Sequence, residues 1–281
     1  MNDANRQSNW LHELAWDEVQ RRIQRSDVVL VPIGATEQHG PHAPLMLDTG
    51  WAIQTSEAAA VQTDCLIAPP LHFGWSYGHM AFPGTVGLTA ATLTQVAVEI
   101  GECLVRHGFR RIVFVNGNRQ ANIPPLEIAA ARLQCDTGAF AAVADCGLIA
   151  RDDIAKLAQG PAGTLGHAGE SETSMVLAYY PHLVNMRRAP PDPPSGHPAP
   201  GLRQGHLTLD PRLEGNAWFV PRDPQDFYRQ TESRGGVVGN AQLATAEKGR
   251  AMVQAIGQRI AQGIDAARLR ELDVRPPPIR A

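Results

Sequence analysis

The sequence predicts an α/β fold with a mostly parallel central sheet and helices on both faces. Three observations carry that expectation. Strand-like and helix-like segments alternate along the chain; two of the strand segments, VVLVPI from Val28 and RIVFVNG from Arg111, are almost wholly apolar, as strands covered on both faces are; and the segments between them are long enough for crossover helices. In order, Thr49 to Val61 reads as a helix and CLIAPP from Cys65 as a short strand stopped by two prolines. Thr89 to His107 is the clearest helix, with Leu93, Val96, Ala97, Ile100 and Leu104 at three- and four-residue steps and Gly108 as a left-handed stop. RIVFVNG follows, then a helix from about Pro124 to Leu133, then GAFAAVAD as another strand. A last helix carries Leu243, Ala246, Val253, Ile256, Ile260 and Ile264 on one stripe. In such sheets sites gather where strands end, which draws attention to the loops after VVLVPI and RIVFV.

From about Met186 to Ser233 the regularity fails. APPDPPSGHPAPG holds six prolines in thirteen residues and forms neither helix nor central strand. The expectation is one domain over 1–281 with an irregular insertion at about 186–233 that covers a site or forms a subunit contact. A disordered excursion is the alternative for its proline-rich part. Trp218, Phe219, Phe227 and Tyr228 suggest that its later part packs against something.

The 281 residues carry a formal net charge of -3, which gives no general attraction to nucleic acid or anionic membrane. No apolar run approaches the roughly eighteen residues of a membrane helix. The polar N-terminus lacks a signal-peptide core, and Cys65, Cys103, Cys135 and Cys146 are scattered without a CxxC, so a reduced cytoplasmic setting is expected.

The loop after VVLVPI reads GATEQHGPHAPLMLD and places Glu37, His39, His42 and Asp48 around two prolines. Glu37 and His39 are one residue apart and can point the same way in extended chain. Asp48 can join them if the intervening residues fold back, although capping a helix would explain Asp48 alone. Mixed nitrogen and oxygen donors suit zinc, manganese or iron.

This stretch resembles the signature of the creatininase family of metal-dependent amidohydrolases. Four more motifs follow in order: GWSYGHMAFPGTVGLT, VNGNRQAN, GHAGESETSMVLAYYP and GVVGNAQLATAEKG. The resemblance implies a three-layer α/β/α sandwich of creatininase type, a homohexamer, and a centre for two divalent metals. It makes Glu37 a ligand of one metal, His39 of the other and Asp48 the bridging carboxylate. Glu172 lies at the metal centre, and His167 moves protons during hydrolysis. Ser76 matches a substrate-side position, His79 is a candidate for the pocket lining, and Trp75 and Tyr77 are candidate pocket walls or packing residues. His42 is expected to orient its loop by a hydrogen bond rather than to bind metal.

One departure matters. Asn118 stands where the family's third motif carries a metal-binding histidine, and Gln120 where creatininase itself has a glutamate ligand. Amide oxygens bind zinc or manganese weakly, so Asn118 is a weakened or lost ligand position and one or two metals per subunit are expected. Its side chain should point into the site between Glu37 and Asp48. The leading reading is a hydrolase that uses a metal-activated water to cleave a C–N, amide-type bond in a small polar, possibly cyclic substrate. Its alternatives are a C–C hydrolase opening a cyclic keto-polyol such as a keto-inositol, and an inactive member serving as a binding or assembly module. Arg203, His206, Arg212 and Arg222 would suit a hydroxylated substrate, with a solvated loop the plainer account of each.

Overall fold

A computed structural model describes residues 8–119, 121–161, 165–191, 211 and 221–279. Four parallel strands, β1 (Val28–Ile33), β2 (Leu66–Ile67), β3 (Arg111–Asn116) and β4 (Phe140–Asp145), lie in the order β2-β1-β3-β4. β1 and β3 are buried at every residue, as their continuous apolar character requires. Alternate residues of each serve opposite faces. Val28, Leu30, Val113 and Val115 pack on one side against α2 (Leu47–Thr63), α6 (Glu170–Tyr179) and α8 (Ala246–Arg268). Val29, Val31, Ile112 and Phe114 pack on the other against α3 (Ala90–Arg106) and α4 (Ile123–Thr137). The result is the three-layer arrangement expected.

Three further helices lie among the described residues: α1 (Trp16–Arg25), α5 (Arg151–Leu157) and α7 (Pro224–Thr231). The helix ends follow their chemistry. Thr89 Oγ accepts the Thr92 N–H at 3.1 Å to open α3, and Gly108, with φ +109°, closes it. CLIAPP supplies only Leu66 and Ile67 to the sheet, because a proline pair offers no ladder N–H. Leu243 falls in a 3₁₀ turn before α8 rather than within the helix. Of the irregular segment, 192–210 and 212–220 lie outside the described residues, as do Trp218, Phe219, Arg203, His206 and Arg212. The part from Pro224 to Thr231 is helical, with Phe227 buried and Tyr228 against Phe82.

The register positions the site. Ile33 pairs with Asn116 and Asn116 with Asp145, so the loops after β1 and β3 begin side by side. The start of α2 is pressed onto both. A Cβ on Gly34 would lie 2.3 Å from the Thr49 backbone, and one on Gly117 would lie 1.9 Å from the Asp48 carbonyl oxygen. Only glycine at both strand ends lets Asp48 approach the loops this closely.

Candidate metal centre

Glu37, His39 and Asp48 converge as their spacing suggested, and the first turn of α6 brings Glu172 to them from across the sheet end. His39 Nε2 lies 3.2 Å from Asp48 Oδ1 and 3.9 Å from Glu172 Oε2. His39 Nδ1 meets the Glu37 carbonyl at 3.1 Å. A carbonyl can only accept, so this contact puts the proton on Nδ1 and turns Nε2 inward. Two donor groups result, Glu37 with His39 and His167, and His39 with Asp48 and Glu172.

The site fits a cation. His39 Nε2 and Asp48 Oδ2 are buried without a hydrogen-bond partner, which native interiors avoid unless something else satisfies the atoms. Electrostatics agree. Burial alone would depress the His39 imidazole, but Asp48, Glu172 and Glu37 outweigh it and hold the pKa at about 10. Burial and the Asp48 charge push Glu37 up to about 8, and burial likewise raises Asp48. This cage gathers positive charge, as a proton on His39 when no metal competes.

Glu172 behaves differently. Burial would raise it, yet the Arg119 guanidinium bound to its Oε1, together with His39, holds it at about 2. Its other oxygen accepts the Ala168 N–H, with Ala168 at φ +54°, a left-handed conformation rare for alanine.

Asn118 does reach the centre, with its amide nitrogen rather than its oxygen: Nδ2 donates to Glu37 Oε2 at 3.0 Å and faces Ser76 Oγ at 3.4 Å. Asn116 steadies this loop by donating to the Asn118 carbonyl at 2.9 Å and to Asp145 Oδ2 at 2.8 Å. Gln120 lies outside the described residues.

Two further imidazoles line the approach. His167 Nδ1 lies 4.0 Å, and His79 Nε2 3.6 Å, from Glu37 Oε1. Burial and neighbouring positive charge depress both well below the ordinary histidine range. His167 Nε2 meets the Gln38 carbonyl at 2.8 Å, and the Gln38 side-chain nitrogen sits 3.0 Å from His79 Nδ1. Trp75 and Tyr77 are stacked, 5.8 Å between ring centroids, on either side of buried Ser76. His42 faces Thr173 Oγ at 3.0 Å and belongs to neither donor group.

Arg119 and Gln38 are members of the site that sequence reasoning did not assign to it; Arg222, which the sequence offered only as suiting a hydroxylated substrate, and Phe227, expected only to pack, meet beside its histidines. Arg222 Nη1 donates to His79 Nε2 at 2.9 Å while its guanidinium lies 4.2 Å over the Phe227 ring. The available signals were Arg119 beside the altered Asn118, and an aromatic three residues past a helix-opening proline.

A family model described as creatininase, creatinine amidohydrolase, matches residues 12–264. The chain is 31% identical over 279 residues to creatinine amidohydrolase of Pseudomonas putida, covering 92% of this chain and 96% of that one. It is 29% identical over 254 residues to 3-dehydro-scyllo-inosose hydrolase of Thermotoga maritima, covering 88% and 79%. Two solved structures, a mutant creatininase of Zn-Zn type and a Mn creatininase, match at TM-scores of 0.72 and 0.71, each at 30% identity over 92% of this chain and 98% of theirs.

Proposed function

The chain belongs to the creatininase family, and on that premise we propose that it is a metal-dependent hydrolase cleaving a C–N, amide-type bond in a small polar substrate. The observation that carries the reading is the pair of buried, unpartnered atoms, His39 Nε2 and Asp48 Oδ2, beside Glu172. His39, Asp48 and Glu172 would hold zinc or manganese, with iron chemically compatible. When bound, such an ion lowers the pKa of a water and polarises a carbonyl.

The remaining steps belong to the chain's own groups. His167 Nε2 lies 2.8 Å from the Gln38 carbonyl and 2.9 Å from the Gln38 side-chain nitrogen; in the tautomer that donates to the carbonyl, Nδ1 is a lone pair facing Glu37. Glu37 accepts a proton from the nucleophilic water, and His167 Nδ1 relays it to the departing nitrogen. Asn118 and Ser76 orient Glu37. Phe227 beside His79 and His167 screens these groups from solvent. The stacked Trp75 and Tyr77 form one wall of the substrate pocket.

A second reading, C–C hydrolysis of a cyclic keto-polyol, is supported by the likeness to the inosose hydrolase and by Arg222, whose N–H groups suit hydroxyl and carbonyl oxygens. Metal analysis of protein purified without chelators, followed by a screen of lactams, formamides and cyclic polyol ketones, separates these. Bound zinc or manganese with amine release supports amide hydrolysis; ring opening to an acid without amine supports the second reading; no transition metal overturns both.

Assembly as a homohexamer and a cytoplasmic location belong to the same proposal. Exposed Phe73, Met80 and Val86, near the candidate pocket, support a subunit contact, and four free cysteines suit a reducing compartment. Sedimentation at several concentrations tests the assembly.

A further inference from the structure

We propose that Arg119 is a built-in second cation of this centre, so that the chain holds one divalent ion rather than two. The inference rests on the metal-dependent reading above and concerns how many ions that reading requires.

Both donor groups draw on His39, yet its Nδ1 is committed to the Glu37 carbonyl and only Nε2 is free. One lone pair serves one ion. Among the described residues, an ion bound through His39 Nε2, one oxygen of Asp48 and Glu172 therefore leaves any second ion with Glu37, His167 and at most the other Asp48 oxygen. Of these, Glu37 already accepts the Asn118 amide N–H at 3.0 Å through one oxygen, and no imidazole replaces that amide.

Arg119 then alters the charge. Its guanidinium bonds Glu172 Oε1, and the two side chains are only 6% and 5% exposed. Arginine stays protonated in proteins, so this charge is permanent, and a guanidinium offers no lone pair to a metal. It also leaves Glu172 with a single oxygen, Oε2, toward His39, and that oxygen accepts the Ala168 N–H.

The ionised carboxylates of Glu37, Asp48 and Glu172 against Arg119 give -3 + 1 = -2, which one divalent ion cancels, and the Arg222 guanidinium beside His79 adds further positive charge that weighs against a second ion. A second would leave two positive charges in a buried site, at the desolvation cost that isolated buried charge carries. Asn118 and Arg119 thus act together, one removing a ligand and the other supplying the charge that the missing ion would have brought.

The test begins with the unaltered chain, saturated separately with zinc and with manganese, freed of loosely held ions by gel filtration, and measured by plasma mass spectrometry. One ion per chain is expected. Two ions per chain overturn the inference and leave the metal-dependent reading standing; none overturns both. Chelator competition then compares Arg119→Met, checked for folding by circular dichroism, with Arg119→Lys. Loss of the charge should tighten the retained ion by about tenfold or more, since a repulsive neighbour at short range has gone. The lysine variant should stay within about threefold of the unaltered chain. An unchanged affinity in Arg119→Met makes Arg119 a brace for Glu172 and overturns the inference. Should that variant fail to fold, the ion count of the unaltered chain still decides.

Discussion

The loops after β1 and β3 leave the sheet from paired residues, Ile33 and Asn116, and both press against the start of α2, but they carry opposite chemistry. The first presents Glu37 and His39 and leads to Asp48, all buried and drawn toward positive charge. The second presents a neutral amide and a guanidinium, which turn toward Glu37 and Glu172 respectively. The same topological position therefore generates the field in one loop and tempers it in the other. Strand ends in a parallel sheet supply the place for a site; the side chains decide its charge.

The largest effect should come from the first loop. Asp48→Asn removes a charge while keeping shape, and metal content should fall below that of Glu172→Gln or any other single change at the centre. Retention of full metal content after dialysis of Asp48→Asn would take Asp48 out of the site and break the contrast between the loops.

His167 belongs to neither loop and, as a proton carrier, should separate turnover from metal content. His167→Ala should lower kcat by about 10²-fold while keeping the ion. Parallel loss of metal and turnover would make it a ligand and rewrite the proton path.

A pH dependence sharpens the contrast further. In metal-free protein Glu37 sits at about 8 against an ordinary 4.5, and His39 at about 10 against 6.5. Both bind protons more tightly when folded, so their stabilisation is complete at low pH and lost as pH rises through those values. His79 and His167, pushed down by burial, act with opposite sign, but only below about 6.5. Glu172, held at about 2, is lost only in strong acid. The melting temperature of metal-free protein should therefore fall from about pH 6.5 to 9, and Glu37→Gln should flatten the part below about 8. A flat profile in the unaltered protein would show that the first loop does not hold protons as its burial requires.

The sequence made β1 and β3 readable because strands covered on both faces need unbroken apolar residues, β4 because its apolar run survives even at the half-covered sheet edge, and the α3 helix because its stripe and cap agree. α1 was not anticipated, since WDEVQRRIQR is largely polar and of its residues only Arg22 is buried. Within the site, Glu37, His39 and Asp48 were legible from one loop. The Arg119–Glu172 pair joins residues 53 apart in sequence, and nothing local in either segment announces the other. Arg222 and Phe227 were each noted in the sequence, but their pairing was not legible, because they stand in a stretch whose prolines mask the short helix α7.

The smallest effect expected lies at that last pair, farthest from the opposed loops. Arg222 donates to His79 and rests on Phe227, and among the described residues no carboxylate pairs with it. Burial depresses its pKa, the mark of a cation kept from water without a full counter-charge. On the proposed function, its remaining N–H groups are available to an oxygen of the substrate. Arg222→Met keeps the stem that packs against Gly78 and removes those donors. The KM should rise by about tenfold, the value of one charge-assisted hydrogen bond, with kcat and metal content nearly unchanged. A fall in kcat at constant KM would move Arg222 from substrate recognition to the reacting atoms, and would mean that positive charge acts on the chemistry from Arg222 as well as from Arg119.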